Sequence, residues 1–129
     1  MQRAILLVDH GSRLEAANLL LERIADALRR RDGGATVEIA HMELAPPTLS
    51  EALERCLAAG AREVVVVPYF LGPGRHTSRD IPRLVDETRA LHPELRVHLA
   101  EPLGFDERLV ELVADRAAAA GAGAADDGE

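Results

Sequence analysis

Hydrophobic and polar positions along this chain fall into blocks that predict a strand followed by a helix, repeated four times. The first and third strand blocks are short continuous apolar runs, ILLV at residues 5–8 and VVVV at residues 64–67, and the second alternates, with Val37, Ile39 and His41 on one side. Runs of this kind are typical of strands buried on both faces of a parallel sheet. In the helix blocks apolar residues recur three or four positions apart, as Leu21, Ile24 and Leu28 do, which predicts helices that pack one face on the sheet.

The predicted elements define an α/β fold. Strands are expected at about residues 4–9, 36–42, 63–68 and 95–100, and helices at about residues 13–31, 49–59, 78–91 and 106–119. Because crossovers between parallel strands are right-handed, this order predicts a parallel sheet of about four strands with helices on both faces. The chain of 129 residues is expected to form a single domain at residues 1–116. Residues 117–129, with the low-complexity sequence AAAAGAGAADDGE, are expected to form a disordered tail.

Two helix starts carry the pattern of a capping box, in which a Ser or Thr and a Glu three residues later satisfy each other's backbone N–H groups. Thr48 and Glu51 fit this pattern before the second helix, and Ser12 and Glu15 fit it before the first. Gly60 is expected to end the second helix.

Composition and charge exclude several classes of function. Two Phe, one Tyr and no Trp argue against stacking on single-stranded nucleic acid, and a net charge of −7 argues against a duplex-binding face. All 15 positions counted as Lys or Arg are Arg, which excludes lysine Schiff-base chemistry. No apolar run has the length of a membrane span, no signal peptide precedes the first strand, and Cys56 has no partner for an internal disulfide. The expected location is the cytoplasm, with no membrane or nucleic-acid partner.

Two histidines follow the carboxyl ends of predicted inner strands. His10 comes directly after the first strand, and His76 ends the glycine-containing loop after the third. Ligands of open α/β sheets bind at this edge, and Glu43, just past the second strand, is expected at the same edge. Two imidazoles and one carboxylate can hold a divalent metal with coordination positions left open, or can exchange protons. The alternative, that these side chains are hydrogen-bonding surface residues, stays open.

The remaining histidines and the cysteine fit ordinary structural roles. His41 and His98 alternate with other residues within strands, and His92 lies where the third helix ends. Cys56 is expected to be a small core residue of the second helix.

Arginines and glycines lie around the two histidine loops in the sequence. Arg13, Arg75, Arg79 and Arg83 are suited to pairing with carboxylates, so the pattern predicts a ligand that carries several carboxylates. Gly74 lets a bulky ligand approach the main chain, whereas no phosphate-binding glycine motif occurs. The alternative is that these arginines only lie on helix faces that are exposed to solvent.

Three motifs in order resemble those of the sirohydrochlorin chelatases, the class II chelatases of cobalamin, siroheme and nickel-tetrapyrrole biosynthesis. The motifs are HGSR at residues 10–13, MELAPP at residues 42–47, and VPYFL at residues 67–71 continued by Gly74, His76 and DIP at residues 80–82. The matches extend over about residues 4–116. Three motifs at fitting spacing are far more specific than one.

The resemblance implies a chelatase-like, flavodoxin-like fold and an ATP-independent reaction. In that reaction a divalent metal enters sirohydrochlorin and two pyrrole protons are released. The resemblance places His10 and His76 on the family's metal-binding histidines and Glu43 on its acidic metal partner. These three residues are therefore the predicted metal ligands and catalytic residues. Co²⁺ is the favoured metal substrate, with Fe²⁺ or Ni²⁺ as alternatives, and no tightly bound cofactor is expected.

The resemblance also predicts a substrate-binding set and an assembly. The residues expected to bind the tetrapyrrole are Ser12, Arg13, Gly74, Arg75 and Arg79. The chain length matches the short form of the family, in which two identical chains do the work of one double-length chain. A four-stranded sheet with open edges gives a separate reason to expect a homodimer.

The sequence departs from the family pattern at Asp9, which precedes His10 where Gly or Ala is more usual. A carboxylate there can tighten metal binding, orient a neighbouring ligand or change the metal preference, and the sequence leaves all three roles open. The chain also lacks the His-rich segment that some members of the resembled family have. The identity of the physiological metal therefore stays open.

Two rival functions compete with metal insertion. A non-catalytic metal or tetrapyrrole carrier with the same fold would use the same residues, and a rate of insertion above the uncatalysed control separates the two. A phospho-receiver domain is suggested by Asp9 at the end of a strand, but receivers need a lysine near the last strand and this chain has none.

Overall fold

The computed structural model describes residues 3–31, 33, 35–72, 74 and 77–126, without the side chains of residues 77, 78 and 122–126. The strands are β1 Arg3–Asp9, β2 Thr36–His41, β3 Glu63–Pro68 and β4 Arg96–Leu99. The helices are α1 Glu15–Arg31, α2 Leu49–Ala58, α3 Thr77–Leu91 and α4 Glu107–Asp126. The predicted order of elements is confirmed, and all bounds except the end of α4 agree within about two residues.

The four strands form one parallel sheet in the order β2-β1-β3-β4. β1 is an inner strand, in which Asp9 lies opposite His41 of β2 and Val8 lies opposite Pro68 of β3. This arrangement confirms the predicted α/β fold with a parallel four-stranded sheet. Because β1 and β3 are neighbours, the loops that follow them leave the sheet side by side.

Helices cover both faces of the sheet, as predicted. On one face α2 and α3 bury Leu53, Cys56 and Ile81 against the strands, and on the other face α1 buries Leu21 and Ala25. Each large aliphatic side chain that is fully removed from water contributes about 1.5–3 kcal/mol to folding. The expectation that Cys56 is a core residue is confirmed, since its side chain is fully buried.

One of the two predicted capping boxes is present. Thr48 Oγ1 accepts the N–H of Glu51 at 3.1 Å, and the Glu51 carboxylate accepts the N–H of Thr48 at 2.8 Å. The capping box predicted at Ser12 is wrong, because Ser12 Oγ accepts the N–H of Leu14, two residues on, at 3.0 Å. The Asn18 side chain holds the Ser12 backbone instead, accepting its N–H at 2.9 Å and donating to its carbonyl at 2.7 Å. Because the Ser12 hydroxyl is used by a hydrogen bond within the turn, it does not cap the helix, and α1 begins at residue 15.

α4 is longer than the sequence predicts, because it continues to Asp126. Residues 117–126, expected to belong to a disordered tail, are helical, and residues 127–129 lie outside the described residues. Alanine has the highest helix propensity, so an Ala-rich segment can continue a helix that has already begun. At the start of α4 the Arg108 guanidinium and backbone N–H both donate to the Asp106 carboxylate, which holds the pKa of Asp106 well below its usual range. None of the described helices, α4 included, is long and apolar enough to cross a membrane.

Arginine side chains cover a backbone carbonyl on each edge strand. Arg29 of α1 donates from Nε to the Val37 carbonyl of β2 at 3.1 Å, and its Nη2 donates to the same oxygen. Arg89 of α3 donates from Nε and Nη2 to the Val97 carbonyl of β4 at 3.1 and 2.6 Å. An aspartate three residues earlier on the same helix holds each guanidinium, at 2.6 and 2.9 Å. The edges are therefore less open to a further strand than the sequence suggests.

We predict that the Cys56 thiol is unreactive in the folded protein. Burial, with a smaller contribution from the charge of Glu38, raises the pKa of the thiol to about 12. Since the thiolate is the reactive form, a chromogenic disulfide reagent at about pH 8 should modify almost none of the folded protein and the full thiol content after denaturation. Rapid modification of the folded protein would contradict the packing of α2 described above.

Candidate functional site

The candidate site forms where β1, β2 and β3 end. Backbone hydrogen bonds continue the pairing of β1 and β2 beyond the strands: the Met42 N–H donates to the Asp9 carbonyl at 2.9 Å, and the Glu43 N–H donates to the His10 carbonyl at 3.1 Å. Similarly, the N–H of Tyr69, the first residue after β3, donates to the Val8 carbonyl of β1 at 2.7 Å. The three loops are thus held side by side. A backbone hydrogen bond therefore joins His10 and Glu43, two of the predicted metal ligands, at this edge.

His10 is exposed and lies against an aromatic side chain. The centroid of its ring is 4.5 Å from that of Phe70, and the two ring planes meet at 53°. Phe70 is buried in the core layer that α2 and α3 cover. The imidazole therefore has an apolar support on one side while it remains accessible to solvent. An imidazole held in this way can bind a metal ion or accept a proton.

The turn after His10 requires glycine for two reasons. Gly11 has a φ of +88°, in the left-handed region that disfavours side chains. A Cβ at this position would also lie 1.9 Å from the Glu43 carbonyl oxygen. The backbones of the loops after β1 and β2 therefore touch at Gly11, immediately beside both predicted ligands.

The loop after β2 folds back on the strand that precedes it. The Pro47 carbonyl accepts the N–H of His41 at 2.9 Å, and Leu44 has a φ of +73°, which is uncommon outside glycine. Glu43 is exposed at the start of this loop. Unusual backbone conformations of this kind cluster at binding sites, where the surrounding structure holds them in place.

A hydrogen-bonded pair that the sequence does not predict lies at the base of these loops. Asp9 and His41 are the last residues of β1 and β2 and lie opposite each other in register. His41 Nδ1 is 2.5 Å from Asp9 Oδ1, and the same oxygen accepts the Gly11 N–H at 3.0 Å. Side chains two residues apart in a strand point to the same face of the sheet. Leu7 and Ile39 pack under α1, so the side chains of Asp9 and His41 also point to the α1 face. The strand register that joins them could not be known from the sequence.

The predicted substrate-binding residues that the structure describes lie in the loops or beside them. Arg13 follows β1 and is exposed, and Arg79 is exposed in the first turn of α3. Ser12 and Gly74 are half-buried. Arg83 is less available, because carboxylates of its own helix hold its guanidinium at 3.6 and 3.3 Å.

Two predicted site residues, Arg75 and His76, lie outside the described residues. In the part of the chain that the structure describes, no group of three His, Cys, Asp or Glu side chains is placed to hold a metal ion. Of the three predicted ligands the described part contains His10 and Glu43. The meeting of His76 with these two residues therefore stays a prediction.

Two cavities lie near the carboxyl edge of the sheet. The first has a volume of about 510 Å³ and is lined mainly by apolar residues of the β3 and β4 ends and of α3, among them Phe70, Ile81 and Leu99. The second has a volume of about 410 Å³, lies on the α1 side and includes Arg13 and His41 in its wall. Cavities of this size accommodate small organic ligands. Phe70 links the first cavity to the candidate site, because it lines that cavity and also contacts the His10 ring.

The chain matches the family model described as CbiX over residues 4–120. A chloroplastic sirohydrochlorin ferrochelatase of Arabidopsis thaliana is 41% identical over 112 residues, which are 87% of this chain and 50% of that protein. A sirohydrochlorin cobaltochelatase of Methanocaldococcus jannaschii is 35% identical over an aligned length of 138 residues, covering 88% of this chain and 96% of that protein. The chain thus spans about half the length of the plant relative and nearly all of the archaeal one.

Solved structures agree with the sequence comparison. The sirohydrochlorin chelatase SirB of Bacillus subtilis subspecies spizizenii, crystallised in complex with cobalt, superposes with a TM-score of 0.83 at 32% identity, over 90% of this chain and 50% of that chain. A CbiX protein of Marinobacter aquaeolei superposes with a TM-score of 0.76 at 32% identity, over 89% of this chain and 93% of that chain. Both confirm the chelatase-like fold expected from the three motifs.

We predict that Gly11→Ala lowers the free energy of unfolding by about 2–5 kcal/mol, because it adds a backbone clash to an unfavourable φ. Gly60→Ala is the matched control, since Gly60 has a φ of +93° but nothing within 4 Å of the added Cβ. That control should cost only about 1–2 kcal/mol. Urea unfolding of both variants measures the difference. Equal losses would contradict the close contact between Gly11 and Glu43.

Proposed function

Because this chain belongs to the CbiX family of sirohydrochlorin chelatases, we propose that it inserts a divalent metal ion into sirohydrochlorin. The observation that carries the proposal is the carboxyl edge of the sheet, where a backbone hydrogen bond joins His10 to Glu43, and where Phe70 both contacts the His10 ring and lines an apolar cavity of about 510 Å³. Co²⁺ is the favoured substrate metal, supported by the cobaltochelatase relatives and by the cobalt complex of SirB. Fe²⁺ and Ni²⁺ are the alternatives. The product belongs to cobalamin or siroheme biosynthesis.

In this proposal His10, Glu43 and His76 receive the metal ion at the mouth of the cleft. Phe70 holds the His10 ring at 4.5 Å, which fixes one nitrogen ligand before the metal arrives. Two imidazoles and one carboxylate leave coordination positions open, so ring nitrogens of the tetrapyrrole can displace water from the metal. Each pyrrole N–H that is replaced by a metal bond releases one proton, and Glu43 or a histidine accepts it. No tightly bound cofactor is needed, because the metal is itself a substrate.

The tetrapyrrole is proposed to enter with its acidic side chains toward the arginines of the two loops. Arg13 and Arg79 are exposed near the carboxyl edge, and forked guanidinium groups pair well with carboxylates. Ser12 and Arg13 share the wall of the second cavity. Gly74 and Arg75 complete the proposed set from the loop after β3.

We further propose that the chain works as a homodimer in the cytoplasm and that residues 1–116 form its single domain. The chain matches half of the plant relative, and α4 with its preceding loop exposes apolar side chains, namely Phe105, Val110, Leu112 and Val113. Arginines cover carbonyls on both edge strands, so the α4 surface is the one we assign to the second copy. A single buried cysteine is compatible with a reducing compartment.

The activity is tested by mixing the protein with sirohydrochlorin and Co²⁺ and following the absorbance of the macrocycle. We expect insertion faster than the control without protein, and we expect His10→Ala to lower kcat/KM by at least about 100-fold because a metal ligand and proton acceptor is lost. His92→Ala, which changes a histidine at the end of α3, should keep the wild-type rate. A wild-type rate no higher than the uncatalysed control would favour a carrier over a chelatase.

The assembly is tested by light scattering on a sizing column. Val113→Glu should convert the dimer to a monomer, because Val113 is 67% exposed on the apolar side of α4. Leu91→Glu changes a residue of α3 that is 72% exposed, and the dimer should remain. A monomeric wild-type protein at micromolar concentration would contradict the assembly.

A further inference from the structure

The pair formed by Asp9 and His41 occupies a special position in the fold. The two residues end neighbouring strands; His10 directly follows Asp9, and Glu43 lies two residues beyond His41. His41 is buried, with a side chain that is 2% exposed, and Asp9 is half-buried, with a side chain that is 20% exposed. A polar pair at this depth must satisfy itself, because each partner would otherwise lose its hydrogen bonds to water.

One carboxylate oxygen joins the loops at two points. Asp9 Oδ1 lies 2.5 Å from His41 Nδ1 and also accepts the N–H of Gly11 at 3.0 Å. A carboxylate can only accept hydrogen bonds, so the imidazole Nδ1–H donates. His10 therefore lies between Asp9, whose side chain is hydrogen-bonded to His41 of β2, and Gly11, whose N–H donates to the same Asp9 carboxylate. Its backbone is fixed on both sides.

The same contacts reach Glu43 through the backbone. The Met42 N–H donates to the Asp9 carbonyl at 2.9 Å, and the Glu43 N–H donates to the His10 carbonyl at 3.1 Å. Gly11 packs against the Glu43 carbonyl so closely that an added Cβ would lie 1.9 Å from it. A shift of Asp9 or His41 would therefore move the turn at Gly11, and with it both His10 and Glu43.

We propose that Asp9 and His41 are positioning residues, which set the distance and orientation of His10 and Glu43 for the incoming metal ion without contacting it. The inference rests on the proposed function, because it assigns a role to the residues behind the proposed metal ligands. Removing Asp9 leaves the buried His41 without this hydrogen bond, and removing either partner loosens the connection between the two loops. Loss of groups that orient metal ligands typically costs about 10- to 100-fold in metal affinity.

The test compares disruptive with conservative variants. Asp9→Ala and His41→Leu remove the hydrogen bond, whereas Asp9→Asn keeps an acceptor oxygen and His41→Asn keeps an N–H donor near the position of Nδ1. We expect the disruptive variants to raise the Kd for Co²⁺, and the KM for Co²⁺ in insertion, by about 10-fold or more. The KM for sirohydrochlorin should change by less than about twofold, and the conservative variants should recover most of the Co²⁺ affinity. The visible absorption bands of bound Co²⁺ report the altered ligand geometry directly.

The chain contains a matched control in the pair of Glu63 and His98. Glu63 Oε2 lies 2.7 Å from His98 Nε2 across β3 and β4, and Glu63 is the first residue of its strand, so the carboxylate lies at the opposite end of the sheet. Glu63→Ala should leave the Kd for Co²⁺ unchanged. Urea unfolding of all variants verifies that they remain folded at the assay temperature.

Three results would overturn the proposal: wild-type Co²⁺ affinity in folded Asp9→Ala, a loss in Asp9→Asn as large as in Asp9→Ala, or an equal loss in Glu63→Ala. The second result would mean that the Asp9 carboxylate itself binds the metal. Co²⁺ binding is measured without the tetrapyrrole, so failure of the proposed function is recognised separately. If the variants differ in Co²⁺ affinity as expected while the wild-type protein inserts no metal, the positioning role stands and the chelatase activity does not.

Discussion

The rest of the structure depends on the position of β1 between β2 and β3. Both edges of this strand are hydrogen-bonded, and Leu6, Leu7 and Val8 are buried in core layers on its two faces. A slip of one residue would exchange the faces and move Asp9 into the apolar layer under α2 and α3. The register therefore also fixes where the buried part of the strand ends. His10 is the first residue beyond that point that is exposed to solvent.

The precision of the site comes from the main chain more than from side-chain contacts. Hydrogen bonds between backbones extend the sheet past its last strand residues, and they hold the loops after β1 and β2 together at Gly11. Phe70, anchored in the core, then holds the His10 ring at one side. Exposed side chains on a rigid base suit the proposed transfer reaction, in which the metal is first bound and then released to the tetrapyrrole.

The fold was largely predictable from the sequence, whereas the contacts within the site were only partly so. Continuous apolar runs, alternation within strands and helical spacing together located every described strand and helix, because burial against the sheet leaves a pattern of apolar positions in the sequence. Helix ends were less certain: Ser12 satisfies its own turn, and alanine propensity carries α4 past residue 117. The pair of Asp9 and His41 depends on the register of two strands that are 32 residues apart in the chain. Such register follows from packing of the whole sheet, which no local pattern contains.

The two helix arginines that cover carbonyls of the edge strands affect how the protein behaves when it is concentrated. An uncovered edge strand can template the growth of fibrils, and β2 and β4 are the two edge strands of this sheet. Arg29 and Arg89 each grip one carbonyl through two N–H groups, so an incoming strand would first have to break both bonds. With one such arginine covering each edge strand, an open sheet can resist aggregation without closing into a barrel.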